Sequence, residues 1–158
     1  MKSYKKRKPI KRSYIKRKLC AGIKSCKRRS SKISLFNFAL KQAEMAWKAA
    51  VMRRDKTCRI CGSIEVRQAD HCFTRSCKQL FLDVRNGTIL CRACHSSKTF
   101  NVGATNKRVD ELVKAREGEA WWEMAKQHAD SHIHYKFTIQ ELEDIKAKLD
   151  GMFNEEEN

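Results

Sequence analysis

The chain of 158 residues is the size of one ordinary domain, and its 35 Lys and Arg against 18 Asp and Glu give a formal net charge of +17. Hydrophobic residues at 41% and charged residues at 34% permit one small core and exclude a large multi-domain machine. No run approaches the roughly 18 apolar residues that a membrane helix needs, so neither a spanning segment nor a membrane partner is expected.

The charge sits at the front of the chain. Residues 1–43 contain 16 Lys or Arg and no acid, Glu44 being the first carboxylate, while residues 44–158 hold 19 basic and 18 acidic residues. Within that remainder, 44–109 carry 13 basic against 5 acidic and 110–158 carry 6 against 13, so a basic front and middle precede an acidic tail region. Residues 1–33 therefore read as a disordered basic arm, with few apolar groups to offset chain entropy and like charges that repel. The arm requires a polyanion: nucleic acid, an anionic membrane or an organelle-import receptor. Nucleic acid is favoured because clustered Lys and Arg neutralise phosphates, with Lys5, Lys6, Arg7, Lys8, Arg28 and Arg29 as expected contacts.

A leading helix is expected over 34–55, rich in helix formers and free of Pro and Gly. Leu35, Phe38, Met45, Ala46 and Ala49 would form its apolar stripe, with Trp47 and Val51 on a neighbouring face. Residues 56–104 then read as a compact core: a short strand at 65–70, an irregular stretch at 71–85, a second strand at 88–90 and a helix at 92–100. Residues 105–158 form a helical region with an acidic tail. One helix is expected from Glu111 to about His128, interrupted at Gly118, with Leu112, Val113, Trp121, Trp122 and Met124 as its apolar members. Thr138-Ile139-Gln140-Glu141 is a capping box for a last helix, in which Ile139, Leu142, Ile145 and Leu149 recur at near-heptad spacing up to Gly151. That stripe could serve a homodimer or simply face the core.

Eight cysteines with no secretory signal point to metal rather than to disulfides. Cys58-x2-Cys61 is followed after 29 residues by Cys91-x2-Cys94, the two-knuckle arrangement of a four-cysteine structural zinc site. Two residues between thiolates let one tight turn aim both sulfurs at a tetrahedral ion, and Gly62 supplies the positive φ that closes the turn. Cys20, Cys26, Cys72 and Cys77 match no closed site and read as spare thiols. His128, His132 and His134 lack a completing ligand and read as a solvated turn, and Trp121-Trp122, in an acidic segment, reads as core.

Between the knuckles lie Asp70-His71, then Asn86, then Cys94-His95-Ser96-Ser97-Lys98-Thr99. In this order and setting they resemble the HNH endonucleases of the ββα-metal class. A narrower resemblance covers about residues 47–150: Trp47 with Arg53-Arg54-Asp55, His71-Cys72-Phe73-Thr74-Arg75-Ser76, Leu80 to Asn86 and the capped last helix are similar to the phage NinG (Rap) recombination endonucleases. Gly commonly takes the place of Asp70 and Asn that of His95 in that family, so at its metal ligands this chain is closer to the general HNH signature.

The resemblance implies an α+β fold: a small zinc-stapled ββα-metal core, flanking helices and the basic arm. It implies hydrolysis of phosphodiester bonds in DNA, with branched recombination intermediates as substrates and, for a phage-encoded chain, the cytoplasm of a bacterial host as the place of action. His71 is suited to be the general base, since a near-neutral imidazole can take a proton from the attacking water. Asp70 and His95 offer oxygen and nitrogen to a catalytic Mg²⁺ or other divalent ion, separate from the structural Zn²⁺. Asn86 belongs with His71 and His95 in the catalytic set as a support, tying the loop to the hairpin and orienting His71. Arg75 is a candidate phosphate clamp or a solvated loop arginine, and Lys98 likewise a candidate DNA-backbone contact. A non-catalytic zinc-dependent nucleic-acid-binding module is the alternative reading.

Overall fold

The structure, a computed structural model, describes residues 26–100, 102–131 and 135–152, with the backbone alone for 26–32. The first helix, α1, runs Cys26–Arg54, beginning before the expected residue 34 and so taking in Arg28 and Arg29. Lys5, Lys6, Arg7 and Lys8, and with them the expectation of a disordered arm at 1–25, lie outside the described residues.

The face that α1 buries differs from the expected one. Leu35, Phe38 and Met45 are 60%, 62% and 54% exposed, whereas Ala39, Ala43, Ala46, Trp47, Ala50 and Val51 are buried. The four alanines follow the 3–4 spacing of one helix stripe, and their small side chains let a second helix approach closely. That helix is α5, Ile139–Gly151, which lays Leu142 and Leu149 against α1 and half-buries Ile145. The α5 stripe is thus used inside the chain. Its start is the expected capping box, with Thr138 accepting from the Glu141 amide and Glu141 reaching back to the Thr138 amide.

Two strands form the sheet: β1, Arg67–His71, antiparallel to β2, Gly87–Cys91. A 3-10 turn at Val84–Asn86 delivers the chain into β2, and α2, Arg92–Thr99, follows directly. Every residue of β2 is buried, because the sheet divides two apolar clusters. Ile89 faces the cluster of α1 and α5, and its neighbour Leu90 faces a second cluster with Val109, Val113, Trp121 and Ala125. These come from α3, Thr105–Glu117, and α4, Glu119–Asp130, which are separated at Gly118 with φ +86. The expected interruption is present, but α3 starts before Glu111; Val109 and Ala125 join the buried set, while Leu112, Trp122 and Met124 are only half-buried.

Asp55 ties these parts together from a nearly inaccessible position. Its carboxylate meets Arg54 at 3.0 Å, Arg116 at 3.5 Å and the Ile89 amide at 3.3 Å, joining α1, α3 and β2. Among the described residues no helix is long and apolar enough to cross a membrane.

Candidate metal centre and the adjoining cleft

The first knuckle follows α1. The Cys58 amide donates to the Ser63 carbonyl at 2.8 Å and the Gly62 amide to the Cys58 carbonyl at 2.8 Å, with Gly62 at φ +75 as the sequence requires. The Arg59 amide donates to the Ile89 carbonyl at 2.9 Å, pinning the knuckle to β2, whose last residue is Cys91. Cys91 also caps α2, its sulfur accepting from the Cys94 amide at 3.5 Å.

The sulfurs of Cys58, Cys61, Cys91 and Cys94 consequently lie within 4.8 Å of one another, with Cys61 and Cys91 at 3.6 Å. A tetrahedral ion with Zn–S bonds of about 2.3 Å would set its sulfurs about 3.8 Å apart. The four cysteines can therefore hold a metal such as zinc, in a site closed by soft ligands. Burial pushes the Cys58 thiol up, but hydrogen bonds from the Cys61, Cys91 and Ile60 backbone outweigh it and bring it to about 6, favouring the thiolate.

Beyond the knuckles, strand alternation separates Asp70 from His71. Asp70 pairs across the sheet with Thr88 and turns toward α2, while His71 pairs with Gly87 and turns toward α1. The Asp70 carboxylate has His95 Nε2 at 3.5 Å on one oxygen and Lys98 Nζ at 2.5 Å on the other. Lys98 also donates to the His71 carbonyl, so it clamps β1 to α2. The expectation that Lys98 contacts the DNA backbone gives way to this internal role, with its side chain only 15% exposed.

Two ligands held cis by a hard divalent ion at about 2.1 Å each sit about 3.0 Å apart. The Asp70 and His95 atoms, 3.5 Å apart, stand about half an ångström wider than that spacing, and the second carboxylate oxygen is already balanced by Lys98. The pair offers two donor atoms, one carboxylate oxygen and one imidazole nitrogen. Among the described residues the only group of three or more metal-ligating side chains is the cysteine cluster.

His71 lies between two rings, stacked on Trp47 with centroids 4.0 Å apart and on Phe81 at 5.3 Å. Its Nε2 is 2.8 Å from the Phe81 carbonyl oxygen. A carbonyl only accepts, so Nε2 carries the proton and Nδ1 keeps the lone pair in the neutral ring. Burial lowers the imidazole below its ordinary 6.5, the Phe81 carbonyl opposing and Arg75 assisting. Asp70 on the hairpin and His95 on the following helix meet, and the His71 ring stands on the other side of β1. One open cleft of about 410 Å³ nevertheless borders both Asp70 and His71, with Thr74, Lys98 and Asp110.

Asn86 is fully buried and performs the tying role expected of it. Its Oδ1 accepts from the Phe73 amide at 2.7 Å and its Nδ2 donates to the Leu80 carbonyl at 2.9 Å, closing the loop between the strands. Its backbone carbonyl takes the Cys72 amide beside His71. Arg75, the candidate clamp, pairs with Glu44 and lies over the Phe81 ring at 5.2 Å, so it braces the wall around His71.

Two participants escaped the sequence reading. Gly87 opposite His71 makes room for the indole of Trp47, and the signal for it is a glycine facing a candidate base across a strand pair. Asp110 accepts from the Cys72 thiol at 3.2 Å, and burial followed by this carboxylate raises that thiol, so Cys72 stays protonated. No local signal marks Asp110, because only tertiary packing brings α3 there. Compared with protein-family models, with curated proteins and with solved structures, the chain matches none.

Proposed function

We propose that the chain is a metal-dependent DNA endonuclease of the HNH kind, hydrolysing phosphodiester bonds in the cytoplasm of a bacterial host, with branched recombination intermediates as its candidate substrates. The observation that carries this reading is the Asp70–His95 pair, 3.5 Å apart on a strand and the helix behind it, with Asp70 also lining the cleft that reaches His71. A divalent ion such as Mg²⁺ bound there would supply positive charge to the scissile phosphate and the departing oxygen.

The chain's own groups do the rest. Asp70 and His95 present oxygen and nitrogen on one side of β1, and Lys98 fixes the carboxylate. His71, kept neutral by burial, accepts the proton of the attacking water at Nδ1 while the Phe81 carbonyl holds its tautomer. Zinc at the four cysteines would staple the knuckles to β2 and α2, and the basic arm would hold DNA.

The test is nicking of supercoiled and branched DNA with Mg²⁺ or Mn²⁺ by the wild type, His71→Ala and Asp70→Asn. The wild type cuts, and each variant loses about 100-fold or more. A wild type that binds DNA but never cuts, whichever divalent metal is supplied, overturns the proposal. It would leave a non-catalytic zinc-dependent nucleic-acid-binding module, the reading favoured by the internal Lys98–Asp70 ion pair.

A further inference from the structure

Most cations of the described residues that flank the sheet face an acid: Arg54 and Arg116 meet Asp55, Arg75 meets Glu44, Arg85 meets Asp83 and Lys98 meets Asp70. Lys56, Arg59, Arg67, Arg92 and Arg108 behave differently, since none pairs with an acidic side chain among the described residues.

The fold collects all five at the zinc end. Arg67 opens β1 opposite Cys91 and donates to the Lys56 carbonyl. The Arg59 backbone is fixed to Ile89, Arg108 donates to the Ile60 carbonyl at 3.4 Å, and Arg92 opens α2 directly after Cys91. Four of the five side chains are exposed, Arg67 being half-buried. Beside them an open cleft of about 620 Å³ separates the 63–66 loop from the first turn of α2. On that loop Ile64 is 74% and Val66 65% exposed, and Val66 holds φ +26, a conformation that β-branched residues rarely adopt.

Charge decides what such a face can meet. Four thiolates on zinc carry a formal charge of about −2. With Glu65 counted as well, the five cations still leave a surplus of about two positive charges, more than the sulfurs need. Arg92 also stands one helical turn before His95 on α2, about 5 Å along the axis, so a strand lying on this face continues to the Asp70–His95 pair.

We propose that the zinc end is a DNA-backbone contact built into the folded chain, independent of the arm, in which Lys56, Arg59, Arg67, Arg92 and Arg108 hold duplex phosphates and Ile64 and Val66 press apolar surface into the adjoining groove. This rests on the nucleic-acid half of the proposed function and deepens it. Phosphate contacts of this kind position the duplex and carry no base information.

The experiment measures duplex affinity against KCl without divalent metal, using the full chain and the variant Lys56→Gln/Arg59→Gln/Arg92→Gln. Each lost phosphate contact removes about 0.9 from the slope of log K against log salt, so the slope falls by about 2.7. The matched variant Lys126→Gln/Lys146→Gln/Lys148→Gln, on α4 and α5, keeps the wild-type slope, and Arg92→Gln alone lowers it by about 0.9. Zinc content is measured on all four proteins. An unchanged slope with zinc retained overturns the proposal, and so does loss of zinc with the slope unchanged, which would make these cations counter-charges to the sulfurs. A wild type that binds with the steep slope and never cuts would remove the nuclease reading and leave this face standing.

Discussion

The indole of Trp47 lies flat on the imidazole of His71, centroids 4.0 Å apart and planes 4° from parallel, and the indole sits where Gly87 has no side chain. A Cβ on Gly87 would come within 2.4 Å of a Val51 methyl and 2.9 Å of the Trp47 ring. Gly87→Ala is therefore expected to cost about 1–3 kcal/mol through overpacking and to push the indole off the imidazole. Urea unfolding measures the cost. In a Val51→Ala background the same change should cost less, because the sites share the clash; equal costs in both backgrounds would mean that the close approach is not what Gly87 is for.

Trp47 itself donates from Nε1 to the Asp83 carbonyl at 2.9 Å, so it holds the inter-strand loop as well as the ring. Trp47→Phe keeps an aromatic face and loses that bond, with an expected loss of about 1 kcal/mol. Trp47→Ala should cost about 3–5 kcal/mol, since the side chain is fully buried. Thermal unfolding of the two variants checks the order, and Ala no worse than Phe would contradict it.

The lowered His71 pKa fixes the sign of a pH dependence. Above the unfolded value of 6.5 both states hold a neutral ring and its contribution is fully present. As pH falls from 6.5 toward the lower folded pKa, the unfolded chain binds the proton first, and stability is lost. Other groups contribute to the pH dependence as well, so the quantity to measure is the difference between wild type and His71→Phe, which should narrow on acidification from pH 7. On the proposed function, cleavage should also decline only below pH 6.5, where the base gains its proton; a fall beginning well above that value would require another group.

How much of this was open to sequence reading depends on whether the constraint is local. The cysteine spacing, the positive φ of Gly62, the Thr138 capping box and the break at Gly118 are each set within a few residues, and all appear where expected. Of the expected α1 stripe Ala46 is buried, but Leu35 and Phe38 were placed beside it because they outrank alanine in hydrophobicity, whereas close approach of α5 selects Ala39, Ala43 and Ala50. The His71 ring turns away from Asp70 because neighbours on a strand point apart. Lys98 read as a candidate DNA-backbone contact because only the packing of α2 on β1 brings it to Asp70.

The cysteine cluster predicts linked losses. A metal bound there would also supply folding energy, because the four sulfurs bring the knuckle, β2 and α2 together. Cys58→Ser and Cys91→Ser should lower bound zinc and melting temperature in step, and a chelator should do the same to the wild type. Full zinc content with an unchanged melting curve in either variant would remove the structural role.

The last prediction concerns residues 1–25, which hold 11 of the 35 Lys and Arg and precede α1. Charge at that density binds a polyanion mainly by releasing condensed counterions, so its signature is the salt slope more than the affinity at one salt. Deleting 1–25 should weaken DNA binding and flatten its dependence on KCl, while zinc content and melting temperature stay put, since α1 and both apolar clusters remain. The cutting step at saturating DNA should persist, because Asp70, His71 and His95 all lie outside the deleted segment. The flattening should also add to that from Lys56→Gln/Arg59→Gln/Arg92→Gln, as two separate sets of phosphate contacts require. Equal affinity and slope for the shortened protein would take DNA contact away from the arm and leave the folded surface as its whole source.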